Sequence, residues 1–261
     1  MSTTINLPVG MQFSCLDRYS KQFSHIEGWF WPDSIAIWDS LLSFQKSSGK
    51  TGNFFEIGVY RGKSAALSTL HAREDETCVL LDPHISPECK QTINSIKPKN
   101  VIYAEIRSTD LLRSSGLPPD TGNCRWIHID GEHTGMAVMN DMTVANLLLN
   151  EDGVVVIDDF FNPQYPQITS AVFDWINQNA RQMVMFLVGN NKCYLCRPRS
   201  AQSYLTYVKQ SLYEDMAARN RPDVSVWKST VPSDMNTFGL TDRFESFDYV
   251  GPDWDRKTIS I

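Results

Sequence analysis

The chain has 261 residues, of which 42% are hydrophobic and 21% charged, which is ordinary for a globular protein with a full core. The net charge is −6, and no dense run of Lys or Arg occurs, so nucleic acid is excluded as an expected partner. No apolar run approaches the roughly 20 residues that a bilayer crossing needs, and the N-terminus lacks the features of a signal peptide. We therefore expect a cytoplasmic protein without a membrane partner.

The six cysteines are too few and too widely spaced for a disulfide scaffold, so we expect them to be reduced. Cys193 and Cys196 form a C-x-x-C pair, which is typical of zinc and redox sites. The pair falls in a predicted strand, where this spacing directs the two side chains to opposite faces. The chain also has no second pair to complete a zinc site, so the sequence argues against either role.

Residues 1–50 are predicted to form an N-terminal arm and a helix. The aromatic run at residues 29–31 (Trp-Phe-Trp) precedes this helix, which is capped by Asp33 or Ser34 and runs to about Gln45. Two interpretations stay open for the aromatic run. It packs on the domain with the helix, or its two tryptophans cover a substrate pocket.

The first strand of a parallel sheet is predicted from Asn53 to Gly58, followed by a glycine-containing turn and a helix. Glycine at positions 58 and 62 lets the backbone turn sharply and come close to a ligand at the helix N-terminus. The next strand ends at Asp82, and an acid about 20 residues past such a turn binds a ribose in dinucleotide-type folds. Glu56, Gly58, Gly62 and Asp82 therefore form an adenosine-binding pattern.

Two related nucleotide sites fit this turn less well. A P-loop has four residues between its first glycine and Gly-Lys-Ser, whereas this chain has three, and Glu56 would direct a negative charge at bound phosphates. A dinucleotide site has a second glycine where this chain has Tyr60, and bulk there crowds a pyrophosphate. The turn therefore favours a ligand without phosphates and disfavours a nucleoside triphosphatase.

Three more strands are predicted between residues 100 and 159. The first lies at residues 100–106, and an adenine would lie in the loop after it. The other two lie at residues 126–130 and 154–159, with a helix at 136–149 between them that ends in the turn at 151–153. This βαβ unit places the carboxyl ends of two parallel strands side by side, which is where ligands bind in open α/β sheets.

Acids stand at both of these strand ends. Asp130 closes the first strand, and Asp158 and Asp159 close the second. Any one of these acids alone is explained as a helix cap, but three converging carboxylates repel one another unless a cation or proton joins them. Oxygen ligands of this kind suit Mg²⁺ or Ca²⁺, and His133 is a candidate general base beside them.

The sheet is expected to finish with an antiparallel pair. Residues 183–188 and 192–196 flank Gly-Asn-Asn at 189–191, which indicates a hairpin. A single helix is predicted at residues 200–220. The polar residues beyond Pro222 show no pattern that predicts an element.

Taken together, these motifs resemble class I S-adenosylmethionine-dependent methyltransferases, and most closely the metal-dependent small-molecule O-methyltransferases. That branch includes macrolide-sugar methyltransferases and the cephalosporin hydroxylase-like group, which act in natural-product biosynthesis. The resemblance covers about residues 53–198. It rests on Phe55-Glu56-Ile57-Gly58 with Gly62 and Ser64, on Asp82, on His128-Ile129-Asp130-Gly131-Glu132-His133 and on Val156-Ile157-Asp158-Asp159-Phe160.

The resemblance implies a fold and a division of the chain. The fold is α/β, with a Rossmann-like, doubly wound, seven-stranded and mostly parallel sheet whose last strand is antiparallel. Residues 1–50 would form a helical N-terminal arm that serves as a substrate lid or packs on the core. Residues 51–198 would form the methyltransferase core, and residues 199–261 a helical C-terminal extension and tail.

It also implies the cofactors and their ligands, namely S-adenosylmethionine and Mg²⁺ or another divalent cation. Many relatives have an aromatic residue two positions after the catalytic histidine, where this chain has Gly135. The residues implied to contact S-adenosylmethionine are Glu56, Gly58, Tyr60, Gly62, Ser64, Asp82, Ser108 and Asp130. The implied metal ligands are Asp130, Asp158 and Asp159, and the implied catalytic residues are His133, as general base, and Asp130.

The function expected from these roles is Mg²⁺-dependent O-methylation of a small molecule with adjacent oxygens, such as a sugar, a catechol-like compound or another natural product. A homodimer or higher homo-oligomer is also expected. Two alternatives stay open: an N-methyltransferase or hydroxylase-like relative on the same scaffold, and a protein that binds S-adenosylmethionine without transferring its methyl group. Retention of the three acids and His133 argues against the second alternative.

Overall fold

The computed structural model describes residues 11–111, 121–228 and 235–242. The helices are a short 3-10 helix (Met11–Phe13), α1 (Leu16–Gln22), α2 (Pro32–Ser47), α3 (Lys63–His71), α4 (Pro87–Ile96), α5 (Ser108–Leu111), α6 (Gly135–Leu148), α7 (Pro166–Gln178), α8 (Pro198–Gln210) and α9 (Leu212–Ala218). The strands are β1 (Asn53–Ile57), β2 (Cys78–Leu81), β3 (Val101–Ala104), β4 (Cys124–Ile129), β5 (Leu149–Asp158), β6 (Val184–Gly189), β7 (Lys192–Cys196), β8 (Val224–Trp227) and β9 (Phe238–Asp242). No helix among the described residues has the length and apolar character that a bilayer crossing requires.

The strands form one sheet in the order β3-β2-β1-β4-β5-β7-β6-β9-β8. Strands β1 to β5 are parallel to one another, and β7 runs antiparallel between β5 and β6. The predicted seven-stranded, mostly parallel sheet with an antiparallel last strand is confirmed for β1 to β7. The strand order reverses between β1 and β4, and in open α/β sheets this position creates a ligand crevice at the carboxyl edge.

Both faces of the sheet are buried, which explains the nearly continuous apolar runs in the sequence. One face packs against α2, α3, α4, α8 and α9, and the other packs against α6 and α7. Neighbouring residues in a strand alternate between these faces, so Trp126 lies in the first core and Ile127 in the second. Cys193 and Cys196 are buried in opposite cores, as predicted, and do not form a joint metal or redox site.

Three predictions about local structure are wrong. Neither Asp33 nor Ser34 caps α2, because Pro32 begins the helix and fixes the backbone angle there. Residues 151–153 belong to β5 rather than to a turn, and the helix at residues 200–220 divides into α8 and α9 at Ser211. The C-terminal extension, where no element was predicted, contributes β8 and β9, and β9 pairs with β6 through main-chain hydrogen bonds.

A buried polar network joins the arm, the core and the extension at Asp39 on α2. Its Oδ1 accepts a hydrogen bond from the Cys15 amide (2.7 Å) and lies 2.8 Å from His71 Nε2. Its Oδ2 accepts hydrogen bonds from Ser14 Oγ (2.5 Å) and from Arg219 Nε (2.7 Å). Burial alone would raise the pKa of Asp39, but its partners His71 and Arg219 hold it well below the usual range.

The same network predicts a loss of stability at alkaline pH. Burial would lower the pKa of His71, but the hydrogen bond and charge of Asp39 raise it to about 9. Because the folded pKa exceeds the unfolded value of 6.5, this stabilisation is complete below about pH 6.5 and is lost as the pH rises through about 9. We expect the free energy of unfolding, measured by urea titration, to fall by about 2 to 3 kcal/mol across this window. His71→Asn should be less stable at pH 6.5 and should show a flatter pH profile.

Candidate active site

The site lies at the carboxyl edge of the sheet, where β1, β4 and β5 end side by side. In register, Ile57 pairs with Ile129 and Ile129 pairs with Ile157, so the residues that follow these three positions stand together. This register brings Gly58, Asp130 and Asp158 to one edge. The pairing of these strands therefore explains why the glycine turn and the acids meet at this edge.

Asp130, Asp159 and His133 form a compact group. His133 Nε2 lies 2.8 Å from Asp159 Oδ2 and 3.8 Å from Asp130 Oδ1. One donor atom from each of the three residues lies within 4.8 Å of the other two, and the same is true of a second group formed by His128, Asp130 and Asp158. A cavity of about 10 Å³, which is about the size of one water molecule, adjoins Asp130, His133 and Asp158. These groups match the donor chemistry of a small cation site.

Burial and neighbouring charges shift the pKa of Asp130 and of Asp159 in opposite directions. Partial burial of the carboxylate and the negative charge of Asp158 raise the pKa of Asp130 well above its usual range. Burial would also raise the pKa of Asp159, but hydrogen bonds from His133, Asn162 and Asn191 lower it to about 2. Asp159 is therefore ionised at neutral pH, whereas Asp130 gains most from a nearby cation.

The backbone and side chain of Asp159 are both held in place. Its φ is +55°, an unusual conformation for a residue other than glycine, which is often found at functional sites. Its Oδ1 accepts hydrogen bonds from Asn162 Nδ2 and Asn191 Nδ2, both at 2.7 Å. Oδ2 is left facing His133, so one oxygen of this carboxylate is directed into the site.

An aromatic side chain that the sequence analysis did not identify stacks on His133. The ring of Tyr165, which precedes α7, stacks on the imidazole with centroids 4.3 Å apart and an angle of 26°. Gly135 occupies the position where many relatives carry an aromatic residue, and Tyr165 provides an aromatic contact from elsewhere in the chain. His133 remains about one third exposed and can reach a bound molecule.

Two functional candidates were missed in the sequence. Lys192, the first residue of β7, forms an ion pair with Asp158 Oδ2 and is buried. His128 lies on β4 with its Nε2 3.9 Å from the same oxygen and its Nδ1 3.1 Å from Glu56 Oε1. The predicted hairpin places Lys192 at a strand start, but only the pairing of β7 with β5 shows that it faces Asp158.

The glycine turn is held by the acid predicted to bind the ribose. Asp82 Oδ2 accepts hydrogen bonds from the amides of Val59 (2.9 Å) and Tyr60 (3.1 Å). Gly58 has φ +84°, and a β-carbon there would lie 1.9 Å from the carbonyl oxygen of Asp130, so only glycine fits. Gly62, with φ +83°, precedes the first residue of α3. The turn therefore places β1 and β4 in direct backbone contact at the site.

Glu56 carries an unsatisfied oxygen in the core. Its Oε1 accepts a hydrogen bond from Ser64 Oγ and lies beside His128 Nδ1, while Oε2 is buried without a hydrogen-bond partner among the described residues. A buried carboxylate oxygen without a donor is unfavourable, so this atom suits a positively charged or N–H-bearing group of a ligand.

Ser108 stands where the adenine is predicted to lie. It begins α5, after β3, and is buried. Its carbonyl oxygen accepts a hydrogen bond from Asn140 Nδ2 on α6 at 2.9 Å. This contact fixes the position of the loop after β3 relative to the helix that follows Asp130.

The aromatic run at residues 29–31 lies between the glycine turn and the acids. Trp29 stacks on Tyr60 with centroids 6.0 Å apart, and Phe30 packs on Trp38 at 4.7 Å. Trp29 and Trp31 are exposed, whereas Phe30 is buried. The middle residue therefore packs on the domain, and the two tryptophans remain candidates for a cover over a substrate pocket.

Comparisons with known proteins agree with the fold. Residues 55–160 match a family model described as a methyltransferase domain, and no curated protein matches the sequence. The solved structure of the O-methyltransferase NovP has a TM-score of 0.53 and 16% identity, over 64% of this chain and 78% of that chain. CalS11, a TDP-rhamnose 3′-O-methyltransferase of calicheamicin biosynthesis, has a TM-score of 0.48 and 12% identity, over 72% and 92%. The S-adenosylhomocysteine-bound methyltransferase PaMTH1 of Podospora anserina has a TM-score of 0.46 and 15% identity, over 72% and 87%.

Residues 55–160 are thus similar to a methyltransferase domain, and the likeness to NovP supports a shared fold. The resemblance to methyltransferases predicted from the motifs is confirmed for this segment of the chain. The individual roles predicted for the site residues stay predictions.

Proposed function

We propose that the protein methylates an oxygen of a small molecule that carries two adjacent oxygens, with a divalent cation such as Mg²⁺ and with His133 as general base. The observation that carries this proposal is the group formed by Asp130, Asp159 and His133 at the carboxyl edge. A structural role alone requires neither two carboxylates nor a partly exposed histidine there. A small molecule of this kind is the proposed partner, and the expected homo-oligomer stays a prediction.

The residues around the glycine turn fit the cofactor. S-adenosylmethionine supplies a sulfonium methyl group that an oxygen nucleophile can attack. The unsatisfied Oε2 of Glu56 suits the ammonium of its methionine part, and the turn from Gly58 to Gly62 provides a close backbone approach. Asp82 stands at the end of β2 beside this turn, where it would bind the ribose hydroxyls as well as the turn amides.

The acids fit a hard divalent cation. Such an ion supplies a Lewis acid that lowers the pKa of a bound hydroxyl and fixes its direction. Asp130 and Asp159 would hold it, together with Asp158 in the ligand set implied by the resemblance. Carboxylate oxygens are the donors that Mg²⁺ prefers, and the cation usually keeps several positions for water or substrate oxygens.

His133 has the position required of a base. Its imidazole is held between the carboxylate of Asp159 and the ring of Tyr165, so its direction is fixed before an acceptor binds. It remains accessible from the side of the site, as proton transfer from an acceptor hydroxyl requires. A fixed orientation lowers the entropy that must be lost when the reacting groups align.

Binding and acceptor discrimination test this proposal. We expect S-adenosylhomocysteine to bind in calorimetry with micromolar affinity and Mg²⁺ to bind separately in a titration that EDTA abolishes. Catechol and phenol are matched acceptors, because only catechol presents two adjacent oxygens to a cation. Formation of S-adenosylhomocysteine should be about 100-fold faster with catechol-like or vicinal-diol acceptors than with single hydroxyls. Equal rates with both kinds of acceptor, or unchanged rates in EDTA, would contradict the role of the cation.

A further inference from the structure

A lysine ammonium is built into the acidic edge of the sheet. Lys192 begins β7 and lies directly opposite Asp158 of β5 in the antiparallel register. Its Nζ pairs with Asp158 Oδ2, the residue is only 3% exposed, and the ring centroid of Phe30 lies 5.7 Å from the same nitrogen. Main-chain pairing, the ion pair and the aromatic ring therefore hold this positive charge in place.

The two oxygens of Asp158 are both engaged by the protein. Oδ2 is paired with Lys192, and Oδ1 accepts a hydrogen bond from the amide of Asp159 at 2.8 Å. Asp130 differs, because none of the described residues donates a hydrogen bond to its carboxylate and its side chain is about one third exposed. Asp159 also keeps one oxygen directed at His133. The three acids are thus unequal in their availability to a cation.

We infer that Lys192 is the resident counter-cation of Asp158 and that this closed pair leaves a divalent cation to Asp130 and Asp159. The inference rests on the proposed function, in which a divalent cation binds at this edge. Coordination by Asp158 would separate a buried ion pair and leave the ammonium of Lys192 without its partner, which is strongly unfavourable. Two carboxylates also suffice for Mg²⁺, which usually binds through one or two and keeps other positions for water and substrate.

Lys192 is then a positioning residue with a measurable effect on the cation. Its fixed charge repels a divalent ion a few ångströms away, so it limits the affinity of the site. It also keeps Asp158 in the ion pair and away from the cation. Coordination positions on the cation therefore stay open for the two acceptor oxygens. A weakly held, open ion suits an enzyme that must bind and release a chelating substrate.

The test is a titration of the full-length protein with Mn²⁺, in the presence of S-adenosylhomocysteine and without acceptor. Electron paramagnetic resonance measures the free Mn²⁺ at each point and so gives the affinity. Lys192→Met should bind Mn²⁺ at least about tenfold more tightly than the wild type, because repulsion is removed and Asp158 becomes free. Lys192→Arg keeps the charge and should stay within about threefold of the wild type. Lys97→Met removes another buried ammonium, one bound to backbone carbonyls, and should change nothing.

The double variant Lys192→Met/Asp158→Asn distinguishes a closed pair from a metal ligand. It removes both charges and avoids an unpaired buried acid, so it remains informative where Lys192→Met fails to fold. Affinity for Mn²⁺ within about threefold of the wild type would support the inference, because a neutral pair is then replaced by neutral groups. A loss of about tenfold or more would overturn it, because Asp158 would then be a ligand in the wild type.

Failure of the inference and failure of the proposed function give different results. Tight Mn²⁺ binding by the wild type, with no change in Lys192→Met, overturns the inference and leaves the proposed cation site intact. No Mn²⁺ binding by either protein, with S-adenosylhomocysteine still bound, overturns both the inference and the proposed metal dependence. Binding by Lys192→Met alone overturns the inference, because Asp130 and Asp159 would then not hold the ion in the wild type, and it also overturns the proposed metal dependence.

Discussion

Replacement of His133 by Gln is expected to lower kcat by about 100- to 10,000-fold, the usual contribution of a general base. Glutamine can still hydrogen-bond to Asp159, which lies 2.8 Å from the imidazole nitrogen, but it has no nitrogen that accepts a proton at neutral pH. The residues proposed to contact the cofactor do not include His133. The KM of the acceptor and the affinity for S-adenosylhomocysteine should therefore change little.

Steady-state kinetics with an identified acceptor, together with calorimetry of S-adenosylhomocysteine, measure this effect. His25→Gln is the matched control, because His25 is exposed in the N-terminal arm and the same chemical change there should leave kcat unaltered. Full turnover by the His133 variant would exclude this residue as the base. A rise in KM with an unchanged kcat would instead assign it to acceptor binding.

Gly58→Ala is expected to lower the free energy of unfolding by about 2 to 4 kcal/mol and to weaken cofactor binding at least about tenfold. The added β-carbon would lie 1.9 Å from the carbonyl oxygen of Asp130, and the obstacle is a backbone atom that cannot rotate away. Relief requires β1 and β4 to separate at their carboxyl ends. The glycine turn and the acid edge would then be displaced together.

A second glycine separates this steric effect from backbone strain. Gly49 also has a positive φ, of +71°, but a β-carbon there would meet nothing within 4 Å. Gly49→Ala should therefore lose only the roughly 1 to 2 kcal/mol of a left-handed conformation and retain cofactor affinity. Urea unfolding and S-adenosylhomocysteine titration of both variants measure the difference. Equal losses in the two variants would refute the role of the contact between Gly58 and Asp130.

The elements that the sequence predicts correctly are those with a local signal. The apolar runs that end in Asp130 and in Asp158 are strands because they are buried on both faces, and their acids follow directly. The hairpin at Asn190 and Asn191 is correct because both residues adopt positive φ, which asparagine tolerates. The methyltransferase core was therefore predictable from short segments.

What the sequence did not show depends on partners that are distant in the chain. The pairing of Lys192 with Asp158 depends on the insertion of β7 between β5 and β6, and the stacking of Tyr165 on His133 depends on the path of the loop before α7. Residues 151–153 resemble a turn, yet they lie in β5, where a β-carbon at Gly153 would meet the Cys124 carbonyl oxygen at 2.6 Å. Contacts of this kind leave no periodic pattern in the sequence, so they could not be predicted from it.

The link between Asp39 and Arg219 has a consequence for the order in which the chain can complete its core. These residues are 180 positions apart, and the carboxylate of Asp39 is fully buried in the finished protein. At a synthesis rate of about 5 to 20 residues per second, a ribosome adds Arg219 roughly 10 to 40 s after Asp39. Helix α2 is therefore without its arginine while the intervening residues are synthesised. A nascent chain cannot bury this acid with its full set of partners until Arg219 has emerged, so the first core closes only after α9 is made.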